Sequence, residues 1–179
     1  MATKEDISEL RSPADTTVGN GGRICSGDIK VIDGDTIELA GKRIRLMCVD
    51  TPESYYQSKT QYCLDNETDC GILAKKALDT IIVKETQGGE LCCAWTKKDR
   101  YGRYLGWCDN GTEKTIPFKK SINQELVIGG YAWFYDGGKE CDGFRDLFLE
   151  AQRNARGLFD HDLGGFKEPR LWRKTKSND

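Results

Sequence analysis

Histidine is scarce in this chain: His161 is the single one among 179 residues, and no Cys-x-x-Cys pair accompanies it. Both gaps argue against a zinc site. No charge of one sign dominates either, since 27 Lys and Arg stand against 29 Asp and Glu. Attraction of a polyanion by bulk charge is thereby excluded, and any nucleic-acid site must be a local patch. Long apolar runs are absent, so no window qualifies as a membrane span. The opening "MATKEDISEL" shows no apolar signal-peptide core. The chain is expected either to stay inside the cell or to be a mature or trimmed form.

Cysteine, by contrast, is plentiful: Cys25, Cys48, Cys63, Cys70, Cys92, Cys93, Cys108 and Cys141 make an even set of eight. That number suits disulfides and an oxidising, secreted or extracytoplasmic setting, with the cytoplasm as the alternative. Two local pairings are expected, Cys63 with Cys70 across "CLDNETDC" and Cys92 with Cys108 across a hairpin. Cys48 and Cys108 also read as simple buried thiols in apolar strand patterns. Sequons at Asn66 and Asn110 would matter only after secretion from a eukaryotic cell.

Length fits one domain with tails. Residues 1–24 are polar and aperiodic and read as a flexible arm. Residues 25–160 carry the regular patterns, and residues 161–179 form a basic tail. The tail reads first as a solvated, disordered end and second as a phosphate-binding arm with Trp172 for stacking. Within the domain, "DIKVI", "TIELA", "RIRLMCVD", "ELCCAW" and "YLGWC" have strand patterns. Alternation in the third places Ile44 and Leu46 on one face and Arg45 on the other. Helical stripes follow at Leu73–Ile82 and at Phe144–Ala155. A third, short helix starts at the capping pair Ser121 and Gln124. Short strands with helices after them suggest a small closed barrel capped by helices, an α+β architecture.

Four short motifs carry the chemistry: "DGDT" at 33–36, "RIRL" at 43–46, "DTPE" at 50–53 and "DRYGR" at 99–103. Each alone reads as a turn or a solvated strand. Together they assemble a phosphodiester-cleaving set. Asp35 and Asp50, with the carbonyl of Thr51, are hard oxygen donors that suit Ca²⁺, or alternatively Mg²⁺, better than zinc. Asp33 would act on the ion through water. Glu53, three residues past Asp50, is where a general base would sit. Arg45 and Arg103 supply planar forks for charge that builds on phosphoryl oxygens.

"VIDGDTIEL", "RIRLMCVDTPE", "DRYGRYLGW", "NQELVIGGYA" and "LEAQRNARGLF", in this order, resemble the staphylococcal nuclease (thermonuclease) family over residues 27–159. The resemblance implies a five-stranded OB-fold barrel with three α-helices. It implies Ca²⁺-dependent hydrolysis of DNA and RNA, with 5′ P–O cleavage leaving 3′-phosphate ends; Mg²⁺ and Mn²⁺ are the alternative cofactors, and a monomer without an obligate protein partner is expected. It also implies calcium carboxylates at Asp35 and Asp50, a carbonyl ligand at Thr51 and a general base at Glu53. Phosphate-binding arginines fall at Arg45 and Arg103, and a nucleotide-contacting tyrosine at Tyr101. The loop "SYYQSKTQYCLDNETDC" departs from the lysine-rich loop of the type member, and "YAWFYDGGKEC" fits its base-stacking region loosely. The alternative function is a non-catalytic OB-fold module that binds nucleic acid or protein. Such a module would be expected to have lost an acidic residue or an arginine, and here all are present. A small disulfide-rich secreted binding protein would explain the cysteines but not the ordered acids and arginines.

Overall fold

The computed structural model of the chain describes residues 21–177. The rest of the expected arm and tail, residues 1–20 and 178–179, lies outside the described residues. Among the described residues there are eight strands: β1 (Gly22–Ser26), β2 (Ile29–Val31), β3 (Thr36–Leu39), β4 (Lys42–Leu46), β5 (Val49–Asp50), β6 (Leu91–Lys98), β7 (Tyr104–Asp109) and β8 (Trp133–Phe134). Six of them form one sheet in the order β1-β6-β7-β4-β3-β2, while β5 and β8 pair separately. All neighbours in the large sheet are antiparallel except β4 and β7. The sheet curls into a half-barrel that brings β1 near β3. Its six strands differ from the expected five because residues 22–26, assigned from sequence mostly to the arm, pair with β6.

Helices α1 (Cys70–Thr86), α2 (Ile122–Ile128), α3 (Phe144–Arg153) and α4 (Pro169–Lys176) cover the sheet. Helix α1 starts at Asp69, whose side chain accepts from the Ile72 amide, and stops at Gln87 in a left-handed conformation (φ 50°). Helix α2 starts where the capping pair places it, with the Ser121 hydroxyl accepting from the Gln124 amide. The core gathers Ile37, Leu39, Ile44 and Leu46 from one side of the sheet with Leu78 and Ile82 of α1, Leu126 of α2 and Phe148 of α3. Each such side chain contributes roughly 1.5–3 kcal/mol by leaving water. Asn123 is fully buried and joins α2 to the sheet. Its amide group donates to the carbonyls of Met47 and Gly106 (3.0 and 2.9 Å), and its oxygen accepts from the Cys108 amide at 3.2 Å.

The fourth helix overturns the expectation of a solvated tail. Pro169 occupies its first turn, where a missing N–H costs nothing, and Trp172 is buried edge-on to Tyr56, with ring centroids 6.3 Å apart.

All eight cysteines are paired, as Cys25–Cys92, Cys48–Cys141, Cys63–Cys70 and Cys93–Cys108. Cys63–Cys70 is as expected. The expected Cys92–Cys108 pair chose the right two strands but is off by one residue. In the β6–β7 ladder Cys108 lies opposite Cys93, whereas Cys92 faces the other side and lies opposite Cys25 of β1. Because successive side chains alternate faces, neighbouring cysteines on β6 must go to different partners. Cys48 and Cys108 are therefore cross-linked and not free thiols. Four disulfides fit an extracellular or otherwise oxidising environment. No helix among the described residues is long and apolar enough to cross a membrane.

Candidate active site

The "DGDT" motif is the turn between β2 and β3. The amides of Ile32 and Asp33 both donate to the Thr36 carbonyl, at 2.9 and 3.2 Å. The Asp33 carboxylate accepts from the Asp35 amide at 3.1 Å, closing a local side-chain turn. Gly34 is required by packing, since a Cβ there would meet the Thr51 side chain and Ala74. The turn therefore lies against the Thr51 segment, and Asp35 reaches across: its Oδ2 accepts from the Thr51 amide at 2.9 Å. Asp50 comes from β5, one residue earlier. Thus the turn interrupts the strand pattern to bring two carboxylates from different strands to one place.

Arg45 binds them together. It lies between inward Ile44 and Leu46 on β4 and so faces away from the core. Its Nη1 lies 3.0 Å from Asp35 Oδ2 and donates to the Val49 carbonyl at 2.9 Å, while its Nη2 donates to Asp50 Oδ1 at 3.2 Å. The Arg45 side chain is 16 % exposed, and those of Asp35 and Asp50 are 10 % and 4 % exposed. These charges interact with little solvent between them.

Burial raises Asp33, Asp50 and Glu53. Burial, with the neighbouring charge of Asp35, pushes Asp33 up to about 7. Burial also raises Asp50, against the lowering pull of Arg173 hydrogen bonds. Glu53 is raised by burial and by Asp35, again opposed by Arg173. Such a site favours added positive charge.

Glu53 is fixed by a residue not anticipated from sequence, the fully buried Gln61. Its side-chain oxygen accepts from the Glu53 amide at 3.2 Å, and its own amide donates to the Glu53 carbonyl at 3.0 Å. Its Nε2 reaches the Lys167 carbonyl at 2.8 Å, tying the loop to the segment before α4. A second unanticipated residue, Arg173 of α4, spans the site. Its two Nη atoms grip both oxygens of Asp50, at 3.1 and 2.8 Å, and Nη1 also donates to Glu53 Oε1 at 2.7 Å. Glu53 thus meets Asp50 through a shared guanidinium.

Arg103 and Tyr101 belong to the "DRYGR" turn, where Gly102 has φ of 80°. Asp99 organises it, accepting from the amides of Tyr101 and Arg103 (2.9 and 3.0 Å) and from Arg103 Nε at 2.7 Å. Burial works to raise the Asp99 carboxyl, but these hydrogen bonds outweigh it and hold the group below the usual range. Arg103 does not join the Asp35–Arg45–Asp50 cluster by hydrogen bond. It shares with them a cleft of about 960 Å³ whose lining includes Asp35, Arg45, Glu53, Tyr101, Arg103 and Arg173. Tyr101 is 68 % exposed at its mouth, beneath the guanidinium groups of Arg100 and Arg103.

Among the described residues, no group of three or more His, Cys, Asp or Glu side chains gathers as a metal cage. The carboxylates of Asp35 and Asp50 and the Thr51 carbonyl are the groups that could hold an ion here. These are oxygen donors in a site whose buried acids favour a cation, and they fit Ca²⁺ or Mg²⁺.

Residues 43–158 match the family model "Staphylococcal nuclease homologue". The chain belongs to the staphylococcal nuclease family. The family's domain is an OB-fold, which accounts for the curled sheet. The matched segment contains Arg45, Asp50, Thr51, Glu53, Tyr101 and Arg103; Asp33, Asp35 and the whole of α4 lie outside it. The succinoglycan biosynthesis protein ExoI of Rhizobium meliloti (strain 1021) is 33% identical over 133 residues, 73% of this chain and 60% of its own. This chain thus spans less than two thirds of that relative. The uncharacterized protein MJ1439 of Methanocaldococcus jannaschii is 34% identical over 148 residues, covering 74% of this chain and 70% of its own. A protein of Escherichia coli O157:H7 named as an uncharacterized endonuclease is 29% identical over 153 residues, covering 83% and 84%.

Proposed function

We propose that this staphylococcal nuclease family member is a calcium-dependent, sugar-non-specific nuclease. It hydrolyses the phosphodiester bonds of DNA and RNA at the 5′ P–O bond and leaves 3′-phosphate ends. The observation that carries this reading is the hydrogen-bonded cluster of Asp35, Arg45 and Asp50, with Glu53 beside it on the wall of an arginine-lined cleft. A family relative named as an endonuclease supports it. Asp35, Asp50 and the Thr51 carbonyl hold the ion, which when bound supplies electrostatic stabilisation of a phosphoryl oxygen. Glu53, held by Gln61, takes the proton of the attacking water; burial raises its carboxyl and so makes it a stronger base. Arg45 and Arg103 approach the phosphoryl group from the cleft wall, and their planar forks match its oxygens. Tyr101 contacts the nucleotide at the mouth.

The test is digestion of plasmid DNA and of RNA with Ca²⁺, Mg²⁺, Mn²⁺ or a chelator, with the product ends mapped. The reading expects cleavage of both polymers with Ca²⁺, none with chelator, and 3′-phosphate ends. Binding of nucleic acid without cleavage under any ion would instead support the non-catalytic OB-fold module.

A further inference from the structure

Helix α4 lies beyond the segment matched to the family model, yet it enters the candidate active site. Trp172 anchors it in the protein, and Arg170, Arg173 and Lys174 line the cleft. Arg173 is the one engaged with the acids. It binds both oxygens of Asp50 in a fork and one oxygen of Glu53. Asp50 Oδ1 also accepts from Arg45, so both of its oxygens are occupied by guanidinium groups. An ion held by Asp50 and a guanidinium forked onto the same carboxylate compete for the same lone pairs, and their like charges repel. When the ion takes Asp50, the Arg173 fork is released into a cleft already lined by Arg45, Arg103 and Arg170. The complementary group there is an anionic phosphate.

We propose that Arg173 is an exchangeable phosphate-binding arginine of this site, held on Asp50 and Glu53 until a divalent cation occupies Asp50 and then transferred to the polynucleotide backbone. The inference rests on the proposed nuclease function. It adds a residue outside the matched domain and links ion binding to substrate binding: the ion displaces the guanidinium, and the displaced guanidinium strengthens the hold on the strand. By reciprocity, a bound strand that engages Arg173 favours the ion.

Two affinities of the full chain test it: that for Ca²⁺ without nucleic acid, by titration calorimetry, and that for a fluorescein-labelled phosphorothioate oligodeoxynucleotide at saturating Ca²⁺, by anisotropy. Removing an internal competitor that occupies most molecules raises apparent affinity by the inverse of the competent fraction, so Arg173→Ala is expected to bind Ca²⁺ about tenfold more tightly. The same variant is expected to bind the oligonucleotide about tenfold more weakly, having lost a charged fork. Trp172→Ala, which unseats the helix by its anchor, should shift both affinities in the same directions. Arg170→Ala removes equal charge from the cleft without touching an acid and should tighten Ca²⁺ binding far less than Arg173→Ala does. The proposal is overturned if Arg173→Ala leaves Ca²⁺ affinity unchanged or weaker, if it leaves oligonucleotide affinity unchanged, or if Arg170→Ala tightens Ca²⁺ equally. Wild-type protein that bound neither probe would instead refute the nuclease reading itself.

Discussion

Arg45→Ala is the sharpest perturbation of the acid cluster. The substitution removes the only cation paired with Asp35 among the described residues; Asp50 keeps Arg173. The carbonyls of Leu46 and Val49 also lose a donor, at 3.2 and 2.9 Å. Breaking a buried ion pair from one side typically costs 3–5 kcal/mol, and because Asp50 stays compensated the lower end applies, about 3 kcal/mol. For a chain of this size that lowers the melting temperature by about 6–12 °C. The decisive comparison adds Asp35→Asn, which deletes the stranded charge but keeps an acceptor for the Thr51 amide. Asp35→Asn with Arg45→Ala should be more stable than Arg45→Ala alone by at least about 1 kcal/mol, the coupling expected of directly paired groups. The assay is thermal unfolding followed by circular dichroism, in chelator and with disulfides intact. If Arg45→Ala melts within about 2 °C of wild type, or if the second substitution only lowers stability further, the pairing carries no weight and the argument from it fails.

Glu53→Gln is expected to keep the fold and Ca²⁺ binding while losing about 10²–10⁴-fold in cleavage rate, the range of general-base contributions; near wild-type digestion would remove Glu53 from that role. Asn123→Ala leaves two buried carbonyls and a buried amide without their partner. It should lower stability by about 3 kcal/mol in denaturant titrations, and a loss within error would show that the chain rearranges there. Asp99, whose folded carboxyl is depressed, adds stability that is present above its ordinary value and is lost as the pH falls through the lower folded value. The stability gap between wild type and Asp99→Asn should therefore narrow as the pH falls below the ordinary carboxylate range. A gap that stays constant as the pH falls would mean that the Asp99–Arg103 pair does not tune the turn.

Legibility in the sequence followed the locality of the signal. Strands β2, β3, β4, β6 and β7 and helices α1 and α2 each carry a period or a cap of their own and formed where the pattern lay, whereas α3 ends at Arg153, short of the expected Ala155, which has φ of 48°. Strand β1 is five residues with a single buried side chain, Ile24. Its place is set by pairing to β6 across a long stretch of chain, which no local pattern announces. Cysteine partners show the same limit: the spacing of seven in Cys63–Cys70 could be read, but the choice between Cys92 and Cys93 needed the ladder register. At the candidate site, Asp35, Arg45, Asp50 and Glu53 come together where their short motifs placed them. Gln61 and Arg173 were not legible. Gln61 acts by being buried, which its residue type does not suggest, and Arg173 lies 120 residues from Glu53 in a segment whose polar composition resembles a loose end. The available signals there were Pro169 at a helix start and an apolar Trp172 beside the arginine.

The disulfides bear on the site as well as on the fold. Buried acids that repel one another favour a backbone that moves apart, so their segment must be held from both sides. On one side Cys48, two residues before Asp50, is bonded to Cys141 across 93 residues of chain. Closing a loop of that length in the unfolded chain corresponds to about 4–5 kcal/mol in the loop-entropy model. On the other side the Cys63–Cys70 bond closes the loop that follows Glu53, and the Cys70 amide donates to the Gln61 carbonyl at 3.2 Å, next to the Gln61 contacts that fix Glu53. The segment from Asp50 to Glu53 therefore runs between two covalent anchors, and Arg45 crosses it from β4. With its backbone constrained in this way, the proposed exchange of guanidinium for metal ion would meet the charge of the acids without separating the carboxylates.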